Sequence, residues 1–378
     1  MAFISGVFSA YPQNFINKED LLRLFEHESF NYNQEKLQKI KKIIFSMNME
    51  GRPTCVNFKQ FWEDLDEDKC PCTIERPSPE NLFRGASFNP SMGDRAIIWE
   101  SAVKELALRA AKGLIAKTKT SLSDIDCVIT NTSSGVMLPN LSTWLPQQLG
   151  LTNTKCNYSL DNTGCGGAIT CLDVARSTVL SNRADCVLIL TVDCASTHMN
   201  TDQDLDIEGI LPNLLFGDGA AAVLVTNQEE RGAWKINEPN CILMEKETCN
   251  LINMRVKETG YYLNLSKDLV PSLHKGISEQ WGGVLKSLTN TSDPAELEWL
   301  IHPGGKAILD TFTRLSPPLT EHSIRHSLQV MREKGNLVSA TLIFVLELML
   351  NQPEKDSACL VGPGPGLEIK FLSIERVS

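Results

Sequence analysis

The chain has 378 residues, a mass of 41.9 kDa, a net charge of −10 and a pI near 5.2. With 42% hydrophobic and 22% charged residues, it carries too much apolar surface to stay disordered. Its acidity disfavours general binding to nucleic acid or anionic lipid. The longest apolar stretches, such as Ala340 to Leu350, fall short of the ~18 residues a membrane span needs.

Residues 1–10 lack a basic leader and read as a first strand, not a signal peptide. Lys18 to Lys42 is helical in pattern and rich in charge. Thr54 to Asn89 has poor periodicity, which points to helical pieces and loops over a surface. Cys70-Pro71-Cys72 offers half a zinc site, but no second pair stands at zinc spacing, so no metal is expected. The 12 cysteines are scattered. Cys127, Cys171 and Cys186 fall inside apolar runs, the behaviour of structural thiols in a reducing, cytoplasmic setting.

From Asp94 the pattern sharpens. Ile97, Ile98, Ala102, Leu106, Ala110, Leu114 and Ile115 recur at helical spacing and predict a long amphipathic helix. Asp126–Asn131 and Asn157–Leu160 read as short strands. After the loop Asp161-Asn162-Thr163-Gly164, residues Ala168, Leu172, Ala175 and Val179 share one helix face. The runs Cys186–Val192 and Ala220–Val225 are continuously apolar, as in strands covered on both faces. The second half echoes the first. Glu298–Ile301 is a strand ending at His302, and Gly335-Asn336 opens an apolar helix through Leu350. Ala358–Val361 and Glu368–Ile374 are strands around the loop Gly362 to Gly366. Strands alternating with helices in both halves predict an α/β protein with two sheets and helices between them.

Three residues stand out chemically. Cys165 lies between Gly164 and Gly166-Gly167 at the start of a buried helix, where the positive helix end favours thiolate. His302 ends a strand and is followed by Pro303-Gly304-Gly305; Asn336 follows Gly335. Singly each has a structural explanation: a packed thiol, a loop histidine, an N-cap. Together Cys, His and Asn can generate a thiolate and stabilise an oxyanion. The separation of Cys165 and His302 also fits papain-like hydrolases. The mid-chain position and local sequence of Cys165 do not.

In these residues the chain resembles the type III polyketide synthases, the chalcone-synthase-like branch of the thiolase superfamily. The matching runs, in order, are Ser133-Ser134-Gly135-Val136, Gly164-Cys165, Leu215-Phe216-Gly217-Asp218-Gly219-Ala220-Ala221-Ala222, Trp299 through His302-Pro303-Gly304-Gly305 to Asp310, Gly335-Asn336 and Gly362–Leu367. The match spans about Asp94 to Val377 and is faint before it. The resemblance implies a duplicated five-layer α/β/α/β/α thiolase-like fold. Its expected parts are an N-terminal helical and loop segment (1–90), a half carrying Cys165 (91–232) and a half carrying His302 and Asn336 (233–378). It further implies a homodimer, no cofactor, and iterative decarboxylative condensation of malonyl-CoA onto an acyl-CoA starter.

Carried over by position, Cys165 would hold the acyl chain, and His302 would keep it as thiolate and join Asn336 in binding the malonyl thioester carbonyl. Phe216 would be a gatekeeper. Ser134, Gly364 and Pro365 would line the cavity. Leu263 stands where the chalcone-type enzymes place a second aromatic gatekeeper. His198, Met254 and Val338 stand at small cavity positions, which implies a reduced cavity, few extensions and a short product such as a pyrone. The basic run Lys39, Lys41 and Lys42, with Arg52, would supply the CoA phosphates with cations. Alternatives are a single-step ketoacyl synthase of the same fold, fed by CoA or by an acyl carrier protein, a cysteine hydrolase, and a catalytically silent subunit. The intact Cys165, His302 and Asn336 argue against the last.

Overall fold

In the run Cys186–Cys194, Val187 and Ile189 pack on one face while Leu188, Leu190 and Val192 pack on the other, and all five are buried. Alternation with both faces covered is what a continuous apolar strand requires. The computed structural model that shows this describes residues 1–27, 30–61, 78, 79, 82, 90–200, 202, 204–288 and 293–378. The Cys70-Pro71-Cys72 motif lies outside the described residues.

The first half contains β1 (Phe3–Ala10), β2 (Phe15–Asn17), α1 (Lys18–Glu26), α2 (Gln34–Ser46), β3 (Gly51–Pro53), α3 (Met92–Thr118), β4 (Cys127–Asn131), α4 (Leu141–Leu149), β5 (Cys156–Ser159), α5 (Gly167–Leu180), β6 (Cys186–Cys194), α6 (Ile207–Leu215) and β7 (Asp218–Thr226). The second contains β8 (Trp234–Ile236), β9 (Asn240–Leu243), β10 (Ile252–Lys257), β11 (Gly260–Leu265), α7 (Leu269–Leu288), β12 (Glu298–Ile301), α8 (Lys306–Thr313), α9 (Arg325–Lys334), α10 (Ala340–Asn351), β13 (Ser357–Gly364) and β14 (Glu368–Arg376). The long helix expected around Ile97–Ile115 is α3, started by a capping box between Ser91 and Asp94.

The main strands run in the order β12-β13-β14-β8-β1-β7-β6-β4-β5, with β9 beside β14. The two halves repeat one pairing scheme. In the first, β1 is antiparallel to β7, β7 antiparallel to β6, and β6 parallel to β4. In the second, β8 and β9 are antiparallel to β14, β14 antiparallel to β13, and β13 parallel to β12. The duplication that a short sequence echo suggested is therefore a repeat of topology. The expected two sheets meet edge to edge, since β1 also pairs β8 through Phe3 and Ile4.

Helices α5 and α10 form the central layer. Helix α5 packs on β4, β6 and β13, and α10 on β1, β7, β12 and β13, so each touches strands of both halves. Their apolar side chains share one core with Ile129, Ile189 and Val223 from one half and Leu360, Leu372 and Ile374 from the other. The outer faces are closed by α3 and α4 over the first half and by α7 and α8 over the second, where Trp281 packs on Trp299 with ring centroids 5.2 Å apart. Five α/β/α/β/α layers result. Strand β1 is central to the sheet, so the first ten residues belong to the Cys165-bearing half and not to a separate segment ending at residue 90.

Candidate active site

The loop before Cys165 is zipped to the end of β4. Asn162 N–H donates to Thr132 O at 2.9 Å, Gly164 N–H to Ser133 Oγ at 2.8 Å, and Asn131 Nδ2 to Thr163 Oγ1 at 2.6 Å. Gly164 has φ +56°, and a Cβ there would lie 2.7 Å from the Pro365 ring. That left-handed turn and that close approach both require glycine. Cys165 sits in a single 3₁₀ turn, Gly164–Gly166, and α5 begins two residues later at Gly167.

His302 leaves β12 with its N–H bonded to Val361 O at 2.8 Å. The next residue of β13, Gly362, packs against the Cys165 carbonyl and Gly166. Asn336 is not the helix start that its sequence context suggested. It forms a parallel bridge with Phe216, and α10 begins at Ala340. Its Oδ1 accepts from Val338 N–H at 2.9 Å and Thr341 Oγ1 at 3.3 Å, and its side chain lies near enough to Cys165 to pull the thiol down. With the carbonyl occupied, the amide N–H is the part that faces the thiol. Val338 follows at φ +53°, a conformation that a β-branched residue adopts only under constraint.

The electrostatics of the free site differ from the expected thiolate. Burial, then the nearby Asp193 charge, push the Cys165 thiol up to about 12, against the opposing pull of Asn336 and its own backbone. Burial pushes the His302 imidazole down to about 3, and neither ring nitrogen has a hydrogen-bond partner among the described residues. The 3₁₀ turn separates Cys165 from the positive end of α5, and desolvation outweighs that dipole. In the free site burial therefore disfavours the charged form of both groups.

Asp193 escaped the sequence reading, because one acid at the end of an apolar strand carries no local signal. It is fully buried and accepts from Ser133 N–H (2.7 Å), Ser339 N–H (3.2 Å), Ser339 Oγ (2.6 Å) and Thr132 Oγ1 (3.3 Å). It braces the Cys165 loop against the segment carrying Asn336. Burial lifts its carboxyl to about 6 despite these bonds.

A cavity of about 270 Å³ opens beside Cys165. Phe216, Leu263, Ser134, Gly364 and Pro365 line it, as expected of them. So do His198, Met254 and Val338, the three bulky replacements; Met254 and Leu263 face each other across the β10–β11 pair. The volume lies just under the ~300–1,000 Å³ usual for small-molecule sites.

The cation set is corrected in part. Arg52 also lines the cavity, but its side chain is buried and donates to the carbonyls of Asn213 and Leu214. Its charge serves to hold the end of α6 and is not offered at a tunnel mouth. Lys39, Lys41 and Lys42 are exposed on α2, and Lys39 is paired with Glu35 at 2.7 Å. None of the three borders the cavity. Among the described residues no group of His, Cys, Asp and Glu could hold a metal, and no helix is long and apolar enough to cross a membrane.

The family model for the N-terminal domain of chalcone and stilbene synthases matches residues 79–229, and that for the C-terminal domain matches 242–377. The chain belongs to the chalcone and stilbene synthase family. It is a polyketide synthase of type III, a transferase. The fold is similar to that of PKS-I from the brown alga Ectocarpus siliculosus, with TM-score 0.86 and 21% identity over 100% of this chain and 98% of that one. It is likewise similar to the C-terminal type III polyketide synthase domain of Steely1 from Dictyostelium (TM-score 0.85, 21% identity, 100% and 99% covered). The 1,3,6,8-tetrahydroxynaphthalene synthase of Streptomyces coelicolor gives 0.82 at 20% identity, with both chains fully covered (100%).

Proposed function

We propose that this synthase condenses malonyl-CoA with an acyl-CoA starter held as a thioester on Cys165, and releases a short product after few extensions. The observation that carries this reading is Cys165 on the wall of one small cavity, with the Asn336 side chain pulling its thiol down and His302, which does not itself line the cavity, bonded through its N–H to Val361 beside the Gly362 that packs on the Cys165 carbonyl. CoA as the carrier draws support from a structural neighbour, CsyB, which has been solved in complex with CoA-SH (TM-score 0.83, 20% identity).

Loading begins from the neutral pair. As the Cys165 sulfur attacks the starter carbonyl, its proton passes to His302, so thiolate and imidazolium arise together and offset each other in the dry site. The CoA sulfur leaves and takes that proton. Malonyl-CoA then loses carbon dioxide, and the electrons of the broken C–C bond form an enolate. Its oxygen accepts from the neutral His302 ring N–H and the Asn336 amide N–H. The enolate carbon attacks the thioester on Cys165, the C–S bond breaks, a chain longer by two carbons leaves on CoA, and the Cys165 thiolate left behind takes up a proton from solvent to restore the thiol. The condensation step needs no general base, because decarboxylation makes the nucleophile, and fixed donors aimed at the oxyanion supply the rate. The reaction calls for no metal or organic prosthetic group.

Phe216 gates the cavity, with Leu263 in the second gate position. His198, Met254 and Val338 restrict the space and so the number of extensions. Lys41 and Lys42, with Lys39 when released from Glu35, attract the CoA phosphates to the α2 face. The working unit is a homodimer joined through the loop where Val136 and Leu138 are 70% and 97% exposed. The enzyme acts in the cytoplasm. Mass spectrometry of products from malonyl-CoA and a panel of acyl-CoA starters tests this reading. Two-carbon additions limited to diketides and triketides are expected, and a tetraketide or larger ring would overturn the short-product assignment.

A further inference from the structure

Asn131, the last residue of β4, is fully buried, and its carboxamide reaches both ends of the turn that carries Cys165. Ahead of the turn, its Nδ2 donates to Leu160 O and, at 2.6 Å, to Thr163 Oγ1. Thr163 Oγ1 in turn donates to Leu160 O at 3.1 Å, so the three groups close a ring and both amide protons are used. Behind the turn, the carboxamide lies against Gly167, the first residue of α5. A Cβ there would stand 2.5 Å from Asn131 Oδ1 and 2.6 Å from Thr163 Oγ1. Oδ1 itself is buried and accepts no hydrogen bond among the described residues. A buried polar atom without a partner destabilises the fold. An apolar side chain of the same size would avoid that cost, so the two N–H donors are the part the site uses.

Thr163 stands in the N-cap position of the Cys165 turn, yet its hydroxyl caps no N–H of that turn. Its side chain is held by Asn131 and Leu160 instead. Asn131 does not line the cavity, so any effect it has on the chemistry passes through Cys165. We propose that Asn131 is a positioning residue that fixes the angle of attack of Cys165 by holding Thr163 on one side of the turn and Gly167 on the other. This rests on the function proposed above, in which Cys165 takes up the starter. Bond formation in a closed site demands near-attack geometry, and a displacement of about 1 Å costs about 10²-fold in rate.

The test compares Asn131→Asp with the unmodified enzyme. Two probes are used, acetyl-CoA and iodoacetamide, and the rate of Cys165 modification is read by mass spectrometry of its peptide at about pH 5 and about pH 9. The introduced carboxyl has the shape of the amide. Protonated, it donates to Leu160 O and accepts from Thr163 Oγ1; ionised, it can only accept. Asp161 and Asp193 accept from the next two residues, Thr132 N–H at 3.3 Å and Ser133 N–H at 2.7 Å. Burial and these neighbouring carboxylates raise the introduced group above the ordinary value near 4. With both probes the variant should react within about threefold of the unmodified enzyme at the lower pH and about tenfold more slowly at the higher. Rates within about threefold at both pH values would overturn the inference. So would an equal loss at both, which general loosening of the fold would give. Should that variant fail to fold, Thr163→Ser keeps the hydroxyl and should stay within about threefold, whereas Thr163→Val lacks it and should be about fivefold slower; equal rates in the two would overturn the inference. If acetyl-CoA leaves Cys165 of the unmodified enzyme unacylated while iodoacetamide reacts, the proposed reaction is refuted, and the iodoacetamide rates still decide the role of Asn131.

Discussion

Replacing Asn336 by Ala separates catalysis from folding at one residue. The side chain is 1% exposed and has two jobs on opposite ends. Its amide faces Cys165, and its Oδ1 accepts from Val338 N–H and Thr341 Oγ1. Thr341 keeps a second acceptor in Val338 O at 2.8 Å, so truncation orphans chiefly the Val338 N–H, which costs about 1–3 kcal/mol of stability. Loss of one of two oxyanion donors costs ~2.7–4 kcal/mol in the transition state, or about 10²–10³ in kcat. Decarboxylation of malonyl-CoA to acetyl-CoA, followed by chromatography, should fall by that factor. Acyl loading of Cys165, which does not pass through the enolate, should fall by less than tenfold. Decarboxylation within tenfold of the unmodified enzyme would refute the assignment of Asn336 as an oxyanion donor.

Glu298 is 1% exposed; burial would raise its carboxyl, but the His326 ring 3.5 Å away, the Glu354 N–H and the Arg325 charge bring it down to about 2. A depressed carboxyl stabilises the fold above its unfolded value near 4.5 and loses that contribution as pH falls toward 2. Glu298→Gln should therefore remove roughly 3 kcal/mol of stability at pH 7 and flatten the acid limb of a denaturation profile; an unchanged profile would refute the pairing. Arg52→Met should lower stability, because the carbonyls of Asn213 and Leu214 lose their donor, whereas Lys41→Ala with Lys42→Ala should raise KM for the CoA substrate without lowering stability; titration calorimetry and chemical denaturation distinguish the two. Gly164→Ala should abolish acyl loading, since its Cβ meets Pro365 at 2.7 Å and φ is +56°; normal loading would show that the turn tolerates a side chain. Met254→Ala should lengthen the product by at least one extension, and an unchanged chain length would show that the cavity does not set it.

The layered fold was legible because strands such as β6 and β13 are buried on both faces, and that demands uninterrupted apolar runs whatever their neighbours. The place of β1 was not legible, since an eight-residue strand says nothing by itself about which strands flank it. Cys165 and His302 could be picked out by their glycines, which mark turns and close approaches locally. The setting of Asn336 was misjudged, because a left-handed Val338 separates it from α10 and no residue there announces the break. Arg52 was misread because a basic residue near other basic residues looks like surface charge, and only the fold brings it under the α6 carbonyls. Asp193 and the stacking of Tyr261 on His198 depend on contacts between distant segments, which spacing along the chain does not encode.

The most direct test of the central claim is the product spectrum of the purified enzyme with malonyl-CoA and a range of acyl-CoA starters, with Cys165→Ala run beside it. An acyl adduct on Cys165, a product longer than its starter by one or two two-carbon units, and loss of both in the variant are expected. Release of free acid without malonyl-CoA, or products undiminished in Cys165→Ala, would contradict it.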